Sequence, residues 1–410
     1  MKKYFPYLYH LFYWVGALMM IVGNFFIIRH LSVANIGLLV FGIGWVLQVI
    51  IDRKIPNRSY SPWIMFCFWG LILVQLIGIL INNESPAVMR YVLSVPSIIF
   101  GYSAISALAP VKPIQFYTLC FYAFIITCVI IDTITCYNYV NLIYIHHAEG
   151  LHPTWVNLID MLYDKIIPFF FYHHTLGVLN VFGLLLIFAL VVNKQVFFTP
   201  LEKYIQWVFA AIILVFIHLL SARIAIFCFY VIALAAVYYY RENLKWKSIF
   251  LIGTIVLAIT VLGFAFIPMM NTKIWLTINE IKYYFNASTD QIISGPIYRL
   301  KFQLEAIQLI KQNFLTGIGF EQKDAIHINP HNMFLFYAIS IGVPLTLLFA
   351  ILTYLPIFMV RNTVTFPIIG IFIIHTFYSL TDNGMDILLY LYFYAFWVPF
   401  MFQYRKVLLQ

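Results

Sequence analysis

Long hydrophobic runs follow one another along most of the chain, separated by short polar segments. A run of about 20 apolar residues is the length that an α-helix needs to cross the hydrocarbon core of a bilayer. The pattern therefore predicts an all-α, polytopic membrane protein with about twelve transmembrane helices, forming one integral membrane domain over residues 1–410. The predicted spans are 9–28, 33–51, 62–81, 87–109, 114–137, 174–192, 204–221, 222–240, 248–268, 331–358, 364–381 and 386–403.

The composition agrees with this class, because 63% of the 410 residues are hydrophobic and only 10% are charged. A soluble domain of this composition could not cover its surface with polar groups. The formal net charge of +9 comes from cations scattered between apolar runs, so it does not indicate a nucleic-acid partner. The five cysteines lie inside apolar runs and are interpreted as small core residues rather than disulfide partners or metal ligands.

The basic residues predict the orientation of the chain. With the N-terminus in the cytoplasm, the inner connections hold most of the lysines and arginines, and the short outer connections hold little beyond Arg29 and Arg90. An even number of spans then places both termini inside. Two long segments face outward: an interfacial loop, 138–173, and a large loop, 269–330, between spans nine and ten.

The large outer loop contains a predicted amphipathic helix, Pro296–Thr316. Leu304 and Ile307 belong to an apolar stripe at helical spacing, and polar residues occupy the opposite face. Either Gly317 or Gly319 is suited to end this helix.

The same loop ends in the sequence Asn329-Pro330-His331-Asn332, which opens the next span. Asn329 is the predicted N-cap and Pro330 a first-turn residue. His331 and Asn332 would then lie at a helix N-terminus on the outer surface, where anions such as phosphates are attracted. We predict that this is the working surface of the chain, although His331 could instead serve as a structural partner of the cap.

Two arginines are further candidates. Arg223 lies where span seven turns into span eight, and an arginine in an apolar run usually serves a site or pairs internally; the alternative is snorkelling to the outer headgroups. Arg299 lies near the start of the outer helix, where contact with headgroups is the alternative. Two guanidinium groups suit a pyrophosphate, because each offers forked donors to phosphate oxygens. At the outer leaflet, the expected pyrophosphate is that of a lipid-linked donor.

Other ionisable residues are weaker candidates. Asp382, between the last two spans, could position either arginine or merely polarise the surface. His375 lies within span eleven, where an ionisable residue is a functional candidate. The histidines of the first outer loop match no zinc-binding pattern and are interpreted as interfacial.

Three segments resemble the O-antigen ligase and O-antigen polymerase superfamily of bacterial membrane glycosyltransferases. They are SAR at 221–223, YRLKFQLEAIQLIKQNFLTGIGF at 298–320, and PHNMFLFYAISIGVPLTLLF at 330–349. The similarity covers roughly residues 215–385, and the large outer loop between spans nine and ten agrees with it. Phe314 departs from the family pattern, which often has proline after the residue equivalent to Asn313.

The resemblance implies an undecaprenyl-pyrophosphate-linked glycan as donor and inversion at the anomeric carbon, with no metal and no cofactor. It implies a site on the outer face of the bacterial inner membrane. Arg223 and Arg299 would hold the donor pyrophosphate and stabilise it as leaving group. His331 would orient or deprotonate the acceptor hydroxyl, or bind phosphate instead, and Asn332 would support it.

Within this superfamily the chain is predicted to be a polymerase of lipid-linked repeat units, because it lacks an added soluble domain and is rich in aromatic residues. The alternatives are a ligase that transfers glycan to lipid A-core and a transferase to protein. A transporter of lipid-linked saccharide would need polar residues deep in the bilayer, and a scaffold would tolerate loss of the site residues. The predicted partners are the lipid-linked donor, a glycan acceptor, the bilayer and a regulator of chain length.

Overall fold

The structure is a computed structural model, and it is all-α apart from one short hairpin. It describes residues 5–23, 25, 27–28, 31–53, 62–88, 113–148, 173–192, 200–219, 223–242, 246–266, 275, 278–279, 281–283, 285–286, 298–359, 365–381, 397–402 and 404.

The elements follow the apolar runs. The helices are α1 (Phe5–Gly23), α2 (Val33–Asp52), α3 (Pro62–Ile81), α4 (Pro113–Ala148), α5 (His173–Val192), α6 (Pro200–Leu219), α7 (Arg223–Tyr239), α8 (Trp246–Phe266), α9 (Tyr298–Gln312), α10 (Phe320–Ala325), α11 (Met333–Ile341), α12 (Val343–Met359) and α13 (Phe366–Thr381), with a 3₁₀ turn at Pro86–Val88. Strands β1 (Ile27–Ile28) and β2 (Leu31–Ser32) pair antiparallel between α1 and α2.

The chain divides into two compact units. The first comprises residues 1–20, 35–116 and 282–410, and the second comprises 21–34 and 117–281.

Close helix packing in the first unit depends on glycines. Helix α12 packs along α3, and α11 packs on α3, α9, α12 and α13. A Cβ added at Gly78 of α3 would lie 2.3 Å from the side chain of Ile341, and one at Gly70 would lie 2.8 Å from Leu352. Small residues permit such close approach of membrane helices. Gly16 and Gly37 bring α1 and α2 together in the same way, since a Cβ at Gly16 would lie 2.9 Å from the Gly37 carbonyl oxygen.

The second unit is built from α4–α8, with α5 packed on α6 and α7. Its core contains a polar pair that the sequence analysis did not single out. Asp132 of α4 is fully buried, and the Asn180 side-chain N–H of α5 donates to its carboxylate at 2.8 Å. A buried polar group needs such a partner, so this bond fixes α4 against α5.

The surface of the described helices carries many large apolar side chains, as expected for helices that face lipid. Phe250 is 78% exposed, Leu80 77% and Leu234 71%. Among the described residues, the stretch Phe116–Asn138 is long and apolar enough to cross a membrane, and further apolar helices are 10–17 residues long. The count of twelve spans therefore remains a prediction. Helix α4 continues to Ala148, so residues 138–148 of the predicted interfacial loop are helical.

The predicted span 331–358 is two helices, because the chain breaks at Gly342. Asn82, which follows α3, bonds to the Ser340 carbonyl at one end of α11. Asn332, at the other end of α11, bonds to the Leu380 carbonyl near the end of α13. Helix α11 therefore bridges the ends of α3 and α13, and α12 then runs back along α3.

The outer helix α9 ends at Gln312, four residues before the predicted Thr316. Among its described side chains, that of Ala306 is buried, whereas Ile307 of the predicted apolar stripe is 39% exposed. The small Ala306 side chain suits the close packing of α9 on α11, and an exposed apolar side chain such as Ile307 is stable where lipid can contact it. Beyond the helix, the Gly317 N–H bonds to the Asn313 carbonyl.

We expect Gly342→Ala to destabilise the fold by about 1–3 kcal/mol from backbone strain alone. Gly342 has φ 80° and ψ 163°, a region that is essentially restricted to glycine. A Cβ there would also lie 2.3 Å from the Leu315 carbonyl oxygen. Thermal unfolding in detergent measures the loss. Gly42→Ala is the matched control, because a Cβ at Gly42 meets nothing within 4 Å; equal unfolding temperatures for both variants would contradict the prediction.

Candidate active site at the outer loop

The break at Gly342 leaves two backbone carbonyls of α11 without a hydrogen-bond donor from the helix. The Ser340 carbonyl has no helical donor four residues on, because Pro344 carries no N–H. The Ile339 carbonyl loses its donor because the Val343 N–H bonds to the Phe314 carbonyl at 2.8 Å instead. Both released acceptors lie at the end of a helix, where they require partners from outside it.

The outer loop supplies those partners. The Ile318 N–H donates to the Ile339 carbonyl at 2.7 Å, and the Gly319 N–H donates to the Ser340 carbonyl at 3.0 Å. A Cβ at Gly317, where φ is 70°, would lie 2.5 Å from the Ile339 carbonyl oxygen, so the two backbones approach directly. The loop that carries the predicted site is thus bonded to the helix break rather than lying loosely over it.

Beyond this contact the chain forms the short helix α10, which starts beside Glu84. The Glu321 N–H donates to the Glu84 carboxylate at 2.8 Å. Burial is the main cause that raises the pKa of Glu84; the N–H groups of Glu321 and Phe320 oppose the rise, and the carboxylates of Glu321 and Asp324 add to it.

This raised pKa predicts a pH-dependent stability. A carboxyl that binds its proton more tightly in the folded state makes the fold more stable as pH falls through the window between the raised pKa and the ordinary value of 4.5. We therefore expect wild type to gain stability relative to Glu84→Gln as the pH is lowered through this window. Thermal unfolding from pH 7 to pH 4 measures the difference. Glu305→Gln, on α9, is the control, and parallel wild-type and Glu84→Gln curves would contradict the expectation.

His331 lies at the end of the outer loop, directly before the cap of α11. It is half-buried and has φ 48°, a left-handed conformation that is uncommon outside glycine. Its N–H donates to the Asn329 side-chain oxygen at 3.1 Å, which forms a local turn. The backbone at this position is therefore fixed by Asn329.

Asn332, not Asn329, is the N-cap of α11, so the predicted cap was wrong by three residues. Its side-chain oxygen accepts from the Leu335 N–H at 3.1 Å, and its side-chain N–H donates to the Leu380 carbonyl at 3.3 Å. The prediction failed because both asparagines suit a cap, and Asn329 is used in the turn before it. Asn332 thus joins α11 to α13; a role in binding substrate remains a prediction.

The structure describes some of the remaining predicted site residues fully, one without its side chain and one not at all. Arg299 lies in the first turn of α9, which packs on α11, but its side chain falls outside the described residues. His375 is buried in α13 with its ring 5.9 Å from that of Tyr354. Asp382 lies outside the described residues. Arg223 is half-buried and is the first residue of α7, in the second unit.

A cation that the sequence analysis missed lies in the loop. The Lys323 side chain is only 12% exposed, and its ammonium lies 3.1 Å from the Asp324 carboxylate. It also sits over the Phe336 ring of α11, 4.1 Å from the centroid. Such a contact holds α10 on α11 through a cation–π interaction. Within the described residues, no group of three or more His, Cys, Asp or Glu side chains is arranged to hold a metal ion.

Residues 208–350 match the family described as O-Antigen ligase. The matched segment contains Arg223, Arg299 and His331, together with the outer loop and the helix break at Gly342. No curated protein matches the chain.

Proposed function

We propose that this chain, which belongs to the O-antigen ligase and polymerase superfamily, is a polymerase of lipid-linked oligosaccharide repeat units. Members of the family are glycosyltransferase-like proteins of the bacterial inner membrane. The donor would be an undecaprenyl-pyrophosphate-linked glycan at the outer face of that membrane, and the acceptor would be the next lipid-linked unit.

One observation carries the proposal. The segment that matches the family holds His331 at a defined position: the Asn329 side chain fixes its backbone, and the next residue caps α11. A helix N-terminus and an adjacent imidazole suit an anionic donor and a hydroxyl acceptor.

The proposed reaction is a single displacement. The acceptor hydroxyl oxygen forms a bond to the anomeric carbon of the donor as the bond from that carbon to the phosphate oxygen breaks, which inverts the configuration. His331 takes the hydroxyl proton as general base. Arg223 and Arg299 stabilise the charge that develops on the leaving undecaprenyl pyrophosphate. Neither a metal ion nor a cofactor takes part in this scheme.

A ligase is the second candidate, because the matching family is described as O-Antigen ligase. Ligase and polymerase would use the same donor chemistry and differ in the acceptor. We favour the polymerase on the strength of the chain's aromatic-rich membrane character, since 19% of its residues are aromatic.

The test uses purified protein with a synthetic undecaprenyl-pyrophosphate repeat unit as the sole substrate, with EDTA in a parallel sample. A ladder of products on a gel, unchanged by EDTA, is expected. Transfer that occurs only after lipid A-core or a peptide is added would reassign the protein as a ligase or a protein transferase. No transfer to any acceptor, with a donor shown to be active in a known enzyme, would overturn the proposal and favour transport.

A further inference from the structure

A short segment of the first unit, far from the outer loop in sequence, is hydrogen-bonded to that loop. It comprises residues 82–85, directly after α3, and we call it the outer tether. The Asn82 side-chain nitrogen, Nδ2, lies 2.9 Å from the Gly78 carbonyl oxygen, 2.9 Å from that of Thr316 and 3.2 Å from that of Ser340. One amide thus joins the end of α3, the loop before Gly317 and the released carbonyl at the helix break.

The second half of the tether contacts the start of α10. The Glu84 carboxylate accepts the Glu321 N–H, and the Ser85 hydroxyl bonds to the Glu321 carboxylate. Gly319 leaves the space for this contact, because a Cβ there would lie 2.7 Å from the Glu84 carboxylate oxygen. Gly319 also has φ 86°, so its conformation and its neighbour both exclude a side chain.

These bonds fix the chain that leads to His331. Nine residues, 322–330, lie between Glu321 and His331, and they comprise the rest of α10 and the turn through Asn329. At its start, the segment is held by the bond from the Glu321 N–H to Glu84 and by the contact of Lys323 with the Phe336 ring. At its end, it is held by the bond from the His331 N–H to the Asn329 side chain.

We infer that Glu84 is a positioning residue for glycan transfer: by accepting the Glu321 N–H, it holds the segment that carries His331. The inference rests on the proposed function, because it assigns Glu84 to that same site. This role requires a side-chain oxygen at residue 84 that can reach the Glu321 N–H, and it does not require a negative charge. Two neighbouring carboxylates, on Glu321 and Asp324, oppose an ionised Glu84.

The test compares three substitutions in the ladder assay. Glu84→Gln keeps an acceptor of the same length and should retain nearly wild-type activity. Glu84→Asp is shorter, and Glu84→Ala has no acceptor, so both should lower kcat by about 10- to 100-fold, with little change in KM for the donor, because displacement of a catalytic group mainly slows the chemical step. Glu305→Ala is the control, because Glu305 pairs with Lys301 across one turn of α9.

A second measurement separates this inference from the proposed function. In a variant with Ser85→Cys and Glu321→Cys, a short bifunctional thiol reagent should join the two introduced cysteines in membranes. The rate of crosslinking should fall when Glu84→Ala is added but not when Glu84→Gln is added. The variants that carry only one of the two substitutions are controls. Full activity of Glu84→Ala, or a Glu84→Gln as impaired as Glu84→Ala, would overturn the inference. A wild-type protein that makes no product, together with a double-cysteine variant that crosslinks as expected, would overturn the proposed function and leave the tether in place.

Discussion

Replacing His331 by asparagine is expected to abolish polymer formation while leaving the protein folded. Removal of a general base lowers the rate by about 100- to 10,000-fold. Asparagine suits the test because it tolerates the left-handed backbone that His331 adopts at φ 48°, whereas alanine adds strain there. The loss should therefore appear in kcat, with unfolding temperature unchanged.

The chain offers a matched control for this experiment. His327 has the same left-handed conformation, with φ 53°, but is exposed and lies four residues earlier in the loop. His327→Asn should retain full activity. If His331→Asn were as active as His327→Asn, then His331 would be a structural residue of the loop, and the proposed general base would have to be sought elsewhere.

The outer loop shows how far the sequence could predict the site. Helix spacing and the Asn329–Asn332 motif predict His331 at a helix N-terminus but inside the first turn, whereas the structure has it directly before the cap. Sequence could not separate the two asparagines, because the choice depends on which backbone N–H groups each can reach. The break at Gly342 was not predicted, because the run from 333 to 359 is largely apolar, glycine is common in membrane helices, and a proline such as Pro344 is compatible with a kink in one continuous span.

Long-range polar contacts were the least predictable. Asn82 and Glu84 bond to residues more than 230 positions away, so the Asn-Asn-Glu-Ser sequence after α3 reads as an ordinary outer connection. Its one available signal is the concentration of polar residues at the end of an apolar run on the same predicted side as the site. Asp132 was missed likewise, because its partner Asn180 lies on a different helix.

Replacing Arg223 by lysine is expected to lower the transfer rate about 10- to 100-fold, although the positive charge is kept. A guanidinium presents forked, planar donors to two phosphate oxygens, and an ammonium on a flexible stem cannot reproduce that geometry. Arg223 is the first residue of α7, so the positive end of the helix dipole adds to its attraction for a pyrophosphate. Arg299→Lys should behave in the same way, since Arg299 also lies in the first turn of its helix.

The size of the effect in kcat distinguishes catalysis from anchoring. If Arg223 stabilises the leaving pyrophosphate, its interaction is strongest in the transition state, so Arg223→Lys should lower kcat and kcat/KM together. Arg241→Lys is the control, because Arg241 follows the other end of α7 and lies 4.7 Å from the Tyr238 ring centroid. An anchoring arginine that snorkels to headgroups can be replaced by lysine without loss. Wild-type kinetics for Arg223→Lys would therefore remove Arg223 from the site and leave the pyrophosphate to Arg299.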